Sequence, residues 1–208
     1  IIVGNILALV QVSLKRIFAY SAVAHSGYLM LALCSLGMKE GFAIEACFFY
    51  LISYSLALVL AFSTLIHLEK RGQTNLILSD LLGLSKKDPL SAFFLTSAVI
   101  SLAGLPPSAG FIAKLFLLTT AMSKLYYFLI LVAILGSLIA LYYYLRIPVT
   151  FYMKKSLDQS ADNGLLIKTK RLQFVLSLSF ILTLGLGTLL PEKTLHLLKE
   201  IRVSQTEK

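Results

Sequence analysis

Cysteine is scarce: Cys34 and Cys47 are the only two in 208 residues, and both lie in or beside apolar runs. Disulfide frameworks and zinc sites need more cysteines at tighter spacing, so these two read as small packing residues. No cysteine cluster is present for an iron–sulfur centre. The three histidines, His25, His67 and His196, are too scattered to form a metal site. There is no phosphate-cradling glycine loop and no catalytic-triad pattern, so redox chemistry is not expected in this chain. Charge is sparse too, at 14%, and acids are outnumbered by bases, ten to nineteen.

What the chain has in quantity is apolar sequence. It is 58% hydrophobic, with a mean hydropathy of +0.84. Soluble domains do not have this composition; polytopic membrane proteins do. The net charge of +9 falls in short gaps between apolar runs, not on one basic face. That pattern flanks membrane helices and does not suggest nucleic acid as a partner. The chain opens Ile-Ile-Val-Gly, inside an apolar run and without Met or a visible signal peptide, which suggests that an upstream part is missing.

The runs predict an all-α membrane bundle of five full helices and one partial helix, without strands. The first run, Ile1 to Leu14, reads as the second half of a helix. Ile17 to Gly37 and Ala46 to Ile66 are each about one crossing. Pro89 to Met122 would reach about 50 Å as a single helix, against a hydrocarbon core of about 30 Å. It must break, and Pro106-Pro107 supplies the break. Each proline lacks an N–H and clashes with the carbonyl four residues back. The carbonyls of Leu102 and Ala103 therefore lose their helical partners. Leu125 to Met153 is kinked at Pro148, and Leu172 to Leu190 is stopped by Pro191. The tail, Thr194 to Val203, has helical apolar spacing suited to the membrane surface. Eleven basic residues flank one side of these runs and six the other, which makes the first side cytoplasmic and puts the C-terminus opposite.

Lys114 is the most informative residue. It is the only charge between Pro89 and Met122. A lysine at mid-membrane costs between ~2.5 and over 10 kcal/mol, depending on how water reaches it. Gly110 and Ala121 share its face and leave room for a helix or water. A broken membrane helix with an ionisable side chain beside the break points to ion or proton movement. The bland alternative is a lysine snorkelling about 12 Å to the end of its helix. Ser21, His25 and Tyr28 share one helical face. A histidine between hydroxyls can pass protons, or it can simply bond a neighbouring helix. Tyr142-Tyr143-Tyr144-Leu145-Arg146 reads mainly as an interfacial aromatic belt, and His67 as an interfacial residue. Glu45 is either a buried partner or an acid placed for the helix dipole.

Two stretches carry a family resemblance. Lys15-Arg16-Ile17-Phe18-Ala19-Tyr20-Ser21-Ala22-Val23-Ala24-His25-Ser26-Gly27-Tyr28 resembles the KR-x-x-AYSSI-x-x-x-GY signature of the antiporter-like subunits of respiratory complex I. Ser101 to Lys114, with its double proline, resembles their broken-helix motif. The lysine and the tyrosine run are most like the N-type members from bacteria. The related subunits of multisubunit sodium/proton antiporters share both motifs. The resemblance implies that residues 1–153 form the second inverted repeat from partway through its first helix. Residues 154–208 would hold a cytoplasmic loop, the last helix and the tail. It implies a multi-pass subunit of the bacterial inner membrane that couples quinone reduction to proton pumping. Lys114 would serve the half-channel toward the periplasm, with His25 as a relay residue. Ser21, Tyr28, Ser101 and Ser108 would line the path. NADH, FMN, iron–sulfur clusters and quinone would lie on partner membrane and redox subunits, with no cofactor in this chain. A purely structural scaffold is the remaining rival.

Overall fold

The computed structural model describes residues 1–34, 42–69, 75–122, 126–153 and 174–188. Lys39, Lys70, Arg71, Lys124, residues 154–173, Pro191, His196 and residues 194–208 lie outside them. Among the described residues the regular structure is helical. The helices are α1 (Ile2–Leu9), α2 (Leu14–Cys34), α3 (Phe42–Leu68), α4 (Leu84–Lys87), α5 (Pro89–Ala103), α6 (Ala109–Met122), α7 (Tyr127–Met153) and α8 (Phe174–Thr188), with a 3₁₀ turn at Leu78–Leu81 before α4.

By length and composition α2, α3 and α7 can each cross a membrane. At 15 and 14 residues, α5 and α6 reach only about 20 Å each. They halve the overlong run where the prolines demand it. Pro148 sits inside α7, which continues past it to Met153.

The first run departs from expectation. The helix does not continue to Leu14 but ends at Leu9. The backbone beyond it pairs with a distant segment: Leu14 N–H donates to the Leu76 carbonyl at 3.1 Å and Leu78 N–H to that of Val12 at 3.0 Å. A short β-bridge, Ser13 to Ile77, results. Satisfying these backbone groups outside a helix lets the chain turn before α2 begins.

The same end of the bundle is fastened elsewhere. Lys15 pairs with Glu69 at 2.5 Å, and Ser85 Oγ donates to the Phe151 carbonyl at 2.7 Å. The start of α2, the end of α3, the lysines of α4 and the end of α7 therefore gather at one basic end. Asp88 opens α5 there. Its carboxylate accepts from Ser91 N–H at 3.2 Å and from Ser91 Oγ at 2.7 Å, with Pro89 at the first helical position. His67 lies against it, with Nε2 3.4 Å from Asp88 Oδ2. His67 is buried within the protein at this end of the bundle. Asp88→Ala should lower the thermal stability of the assembled protein by about 0.5–2 kcal/mol, the usual cost of losing a helix cap. A melting curve checks this.

Two apolar clusters fill the bundle. One joins α3, α5 and α7 around Leu60, Leu95 and Tyr144; the other gathers Tyr50, Leu117 and Ala133 beside the broken helix. Helix α8 backs the assembly, with Phe180 packed edge-on against Phe93 and Phe94. Gly187 lies against the backbone of Pro107 and Ser108.

Candidate functional site

The link between α5 and α6 accounts for every terminal carbonyl of α5. Gly104 adopts a left-handed conformation, φ +79°, and closes the helix. Its N–H reaches the carbonyls of Ile100 and Ser101, and Leu105 N–H also reaches Ile100. That leaves Leu102 and Ala103, the two carbonyls that the prolines orphan. Lys114 takes both: Nζ donates to Leu102 O at 3.1 Å and to Ala103 O at 2.7 Å. A break that would expose bare carbonyls at membrane depth is thus closed by the one cation in the segment.

The glycines make this reach possible. The Lys114 stem runs over Gly104, where an added Cβ would come within 2.7 Å of Lys114 Cδ. Gly110 sits on the backbone carbonyl of Ser101, so α6 crosses the end of α5 in close contact. Lys114 is 7% exposed and therefore does not snorkel. Its Nζ also lies 5.4 Å from the centroid of the Tyr28 ring, a cation–π distance.

His25 approaches the same place from α2. The Tyr50 hydroxyl is 2.7 Å from its Nδ1, and its ring stacks on Tyr54 at 4.4 Å. A cavity lies between these groups, lined by His25, Tyr50, Ser53, Tyr54, Ser101 and Lys114, with Ala57, Leu102, Gly110 and Ala113 completing the wall. Among the described residues no carboxylate lines it. Among the described residues no group of His, Cys, Asp and Glu could hold a metal.

The other expected path residues are placed differently. Ser21, Tyr28 and Ser108 are not on the cavity wall. Ser108 Oγ donates to Leu105 O at 2.6 Å and pins the link. The Tyr28 hydroxyl points to α7, donating to Ala133 O at 2.8 Å beside Ser137 Oγ. Ser21 bonds the Tyr144 hydroxyl, and Tyr143 donates to Asn5 Oδ1 at 3.1 Å. Tyr143 and Tyr144 are therefore core residues and not a belt; only Tyr142 of the three is exposed. Burial is possible because Ser21 and Asn5 satisfy their hydroxyls. Glu45 is exposed in the first turn of α3, the position the helix dipole favours.

The sequence reading missed Tyr50, Ser53 and Tyr54. Their signal was present: with Ala57 they recur at i, i+3, i+4 and i+7, a polar stripe on an apolar helix.

A family model described as "NADH:quinone oxidoreductase/Mrp antiporter, TM" matches residues 1–140. The chain belongs to this family. Among similar members, NADH-quinone oxidoreductase subunit N of Bdellovibrio bacteriovorus is 39% identical over 166 residues, covering 79% of this chain and 34% of the relative. Subunit N 2 of Solidesulfovibrio magneticus is 45% identical over 142 residues, covering 68% and 30%. The chain spans about a third of the length of the curated relatives it matches. A chain of respiratory complex I from Thermus thermophilus superposes with a TM-score of 0.76 at 33% identity, over 92% of this chain and 41% of that one. A chain of the Mrp complex from a Dietzia species gives 0.71 at 23% identity, over 88% and 41%, a likeness of fold alone. Within the family this chain is an antiporter-like membrane polypeptide, most like subunit N.

Proposed function

We propose that this chain is part of a proton-translocating membrane subunit of NADH–quinone oxidoreductase, and that Lys114 and His25 carry the proton within it. The observation that carries this reading is their meeting on one protein-lined cavity at a helix break. Lys114 arrives with its ammonium on two carbonyls. His25 arrives with one ring nitrogen engaged by Tyr50, which leaves the other to exchange a proton. In this reading Lys114 serves the half-channel toward the periplasm, and His25 passes charge along the membrane midplane. Ser101 lines the cavity; Ser21, Tyr28 and Ser108 support the groups around it.

Residues 1–153 then form the second repeat of the fold. Residues 154–208 supply the loop on the basic, cytoplasmic side, the last helix and a tail on the other side of a bacterial inner membrane. The other membrane subunits are its partners. NADH, FMN, iron–sulfur clusters and quinone sit on those partners and supply the driving reaction. A second reading, a subunit of a multisubunit sodium/proton antiporter, is compatible with the family description, which names the Mrp antiporter beside NADH:quinone oxidoreductase. Copurification with a redox module separates the two.

The test is Lys114→Ala in the whole complex, reconstituted in vesicles and scored as protons moved per electron transferred. A large fall supports the reading. An unchanged ratio leaves Lys114 a brace for the helix break and the chain a scaffold.

A further inference from the structure

We infer that α3 supplies the handover point of this relay: one water held by Ser53, Tyr54 and Ser101 between Lys114 and His25, with Tyr50 fixing the imidazole. The inference rests on the reading of Lys114 and His25 given above and assigns new residues to it.

Three hydroxyls carry it. Ser53 Oγ, Tyr54 OH and Ser101 Oγ are buried and have no hydrogen-bond partner among the described residues. Ser53 is 1% exposed and Ser101 is 2% exposed. A serine or threonine inside a helix ordinarily bonds back to a carbonyl of the preceding turn. Thr64, Thr96, Thr120 and Thr183 all do so here. Ser53 and Ser101 do not. Both line the same cavity, from α3 and α5, together with Tyr54. Buried hydroxyls of this kind are partnered by ordered water where space permits. The space open to the centre of a water molecule is about 10 Å³, which is about what one water requires. Such a water needs two to four polar partners, and the wall offers three unpartnered hydroxyls, an amine and an imidazole.

The proton step balances. An N–H bond of Lys114 breaks and the proton passes to the water oxygen. The same water gives up another proton, which forms an N–H bond at His25 Nε2. The water is unchanged, and the charge has moved from amine to imidazole. Nε2 is open to receive when Nδ1 carries its hydrogen and donates it to the Tyr50 oxygen. A phenol hydroxyl can also donate, so Tyr50 holds the ring in either state. Tyr50 is a positioning residue here; Ser53, Tyr54 and Ser101 position the water.

The missing partners make the test sharp. Removing the Ser53 and Ser101 hydroxyls deletes no hydrogen bond among the described residues. A packing role therefore predicts unimpaired pumping in the Ser53→Ala, Ser101→Ala double variant. A handover role predicts that its rate of proton pumping falls about tenfold or more, and that the proton-to-electron ratio falls with it. The thermal stability of the whole complex should be unchanged or slightly raised. Tyr50→Phe should also lower the ratio. A high-resolution structure of the intact complex should show a water within hydrogen-bond distance of Ser53 Oγ and Ser101 Oγ. Normal pumping by the double variant, beside a defective Lys114→Ala, would overturn this inference and leave the relay standing. Normal pumping by Lys114→Ala would remove the relay itself. Loss of stability in step with loss of pumping would also overturn the inference, since the hydroxyls would then be packing groups.

Discussion

Lys114→Ala should impair proton pumping more than Lys114→Arg and, unlike Lys114→Arg, should destabilise the complex. The side chain has two separable tasks. It caps the Leu102 and Ala103 carbonyls, and in the proposed function it gives up a proton. Alanine can do neither. Each carbonyl left buried and unpaired costs about 1–3 kcal/mol, so a lowered melting temperature should accompany the lost pumping. Arginine can still donate to carbonyls and keeps a charge for electrostatic coupling, but it does not readily part with its proton. Vesicle acidification, normalised to the amount of assembled complex, gives one axis and a melting curve the other. Equal loss of pumping, with only the alanine variant destabilised, would show that deprotonation of Lys114 is indispensable. Full pumping in both would reduce the residue to a brace.

Gly110→Ala should be nearly as damaging, through geometry alone. A Cβ at this position would be driven into the backbone carbonyl of Ser101. A backbone neighbour cannot rotate aside as a side-chain tip can. Helix α6 must then retreat from α5, which draws Lys114 off its carbonyls. Overpacking typically costs about 1–3 kcal/mol, and the upper end is expected here. Gly185→Ala is the control, because nothing stands within 4 Å of the added carbon. Its stability should hold or rise, since alanine favours a helix by up to about 1 kcal/mol. The checks are yield of assembled complex and melting temperature; wild-type values for Gly110→Ala would mean that the close crossing is not required.

Much of the fold was legible because membranes make few demands and enforce them strictly. The length of the Pro89–Met122 run and its two prolines located the break, and the structure places it between Ala103 and Ala109. The orphaned carbonyls were readable for the same reason; that Lys114 itself would cap them was not. That contact depends on the left-handed turn at Gly104, which folds α6 back toward the end of α5. The end of α1 was missed because pairing with residues 76–78 is a long-range event with no local signature. The tyrosine run was misjudged for a related reason. A belt and a buried cluster look alike in one strand of sequence; the partners that decide, Asn5 and Ser21, are more than a hundred residues away.

The hydroxyls that close on their own helices have a consequence of their own. A membrane protein that moves protons must also keep them from straying. Thr64, Thr96, Ser97, Thr119 and Thr150 each spend their hydrogen on a carbonyl of the turn before. A hydroxyl occupied in this way is a poor stepping stone. They contrast with Ser53, Tyr54 and Ser101: polar side chains that the backbone has already silenced, where those three hydroxyls stay open.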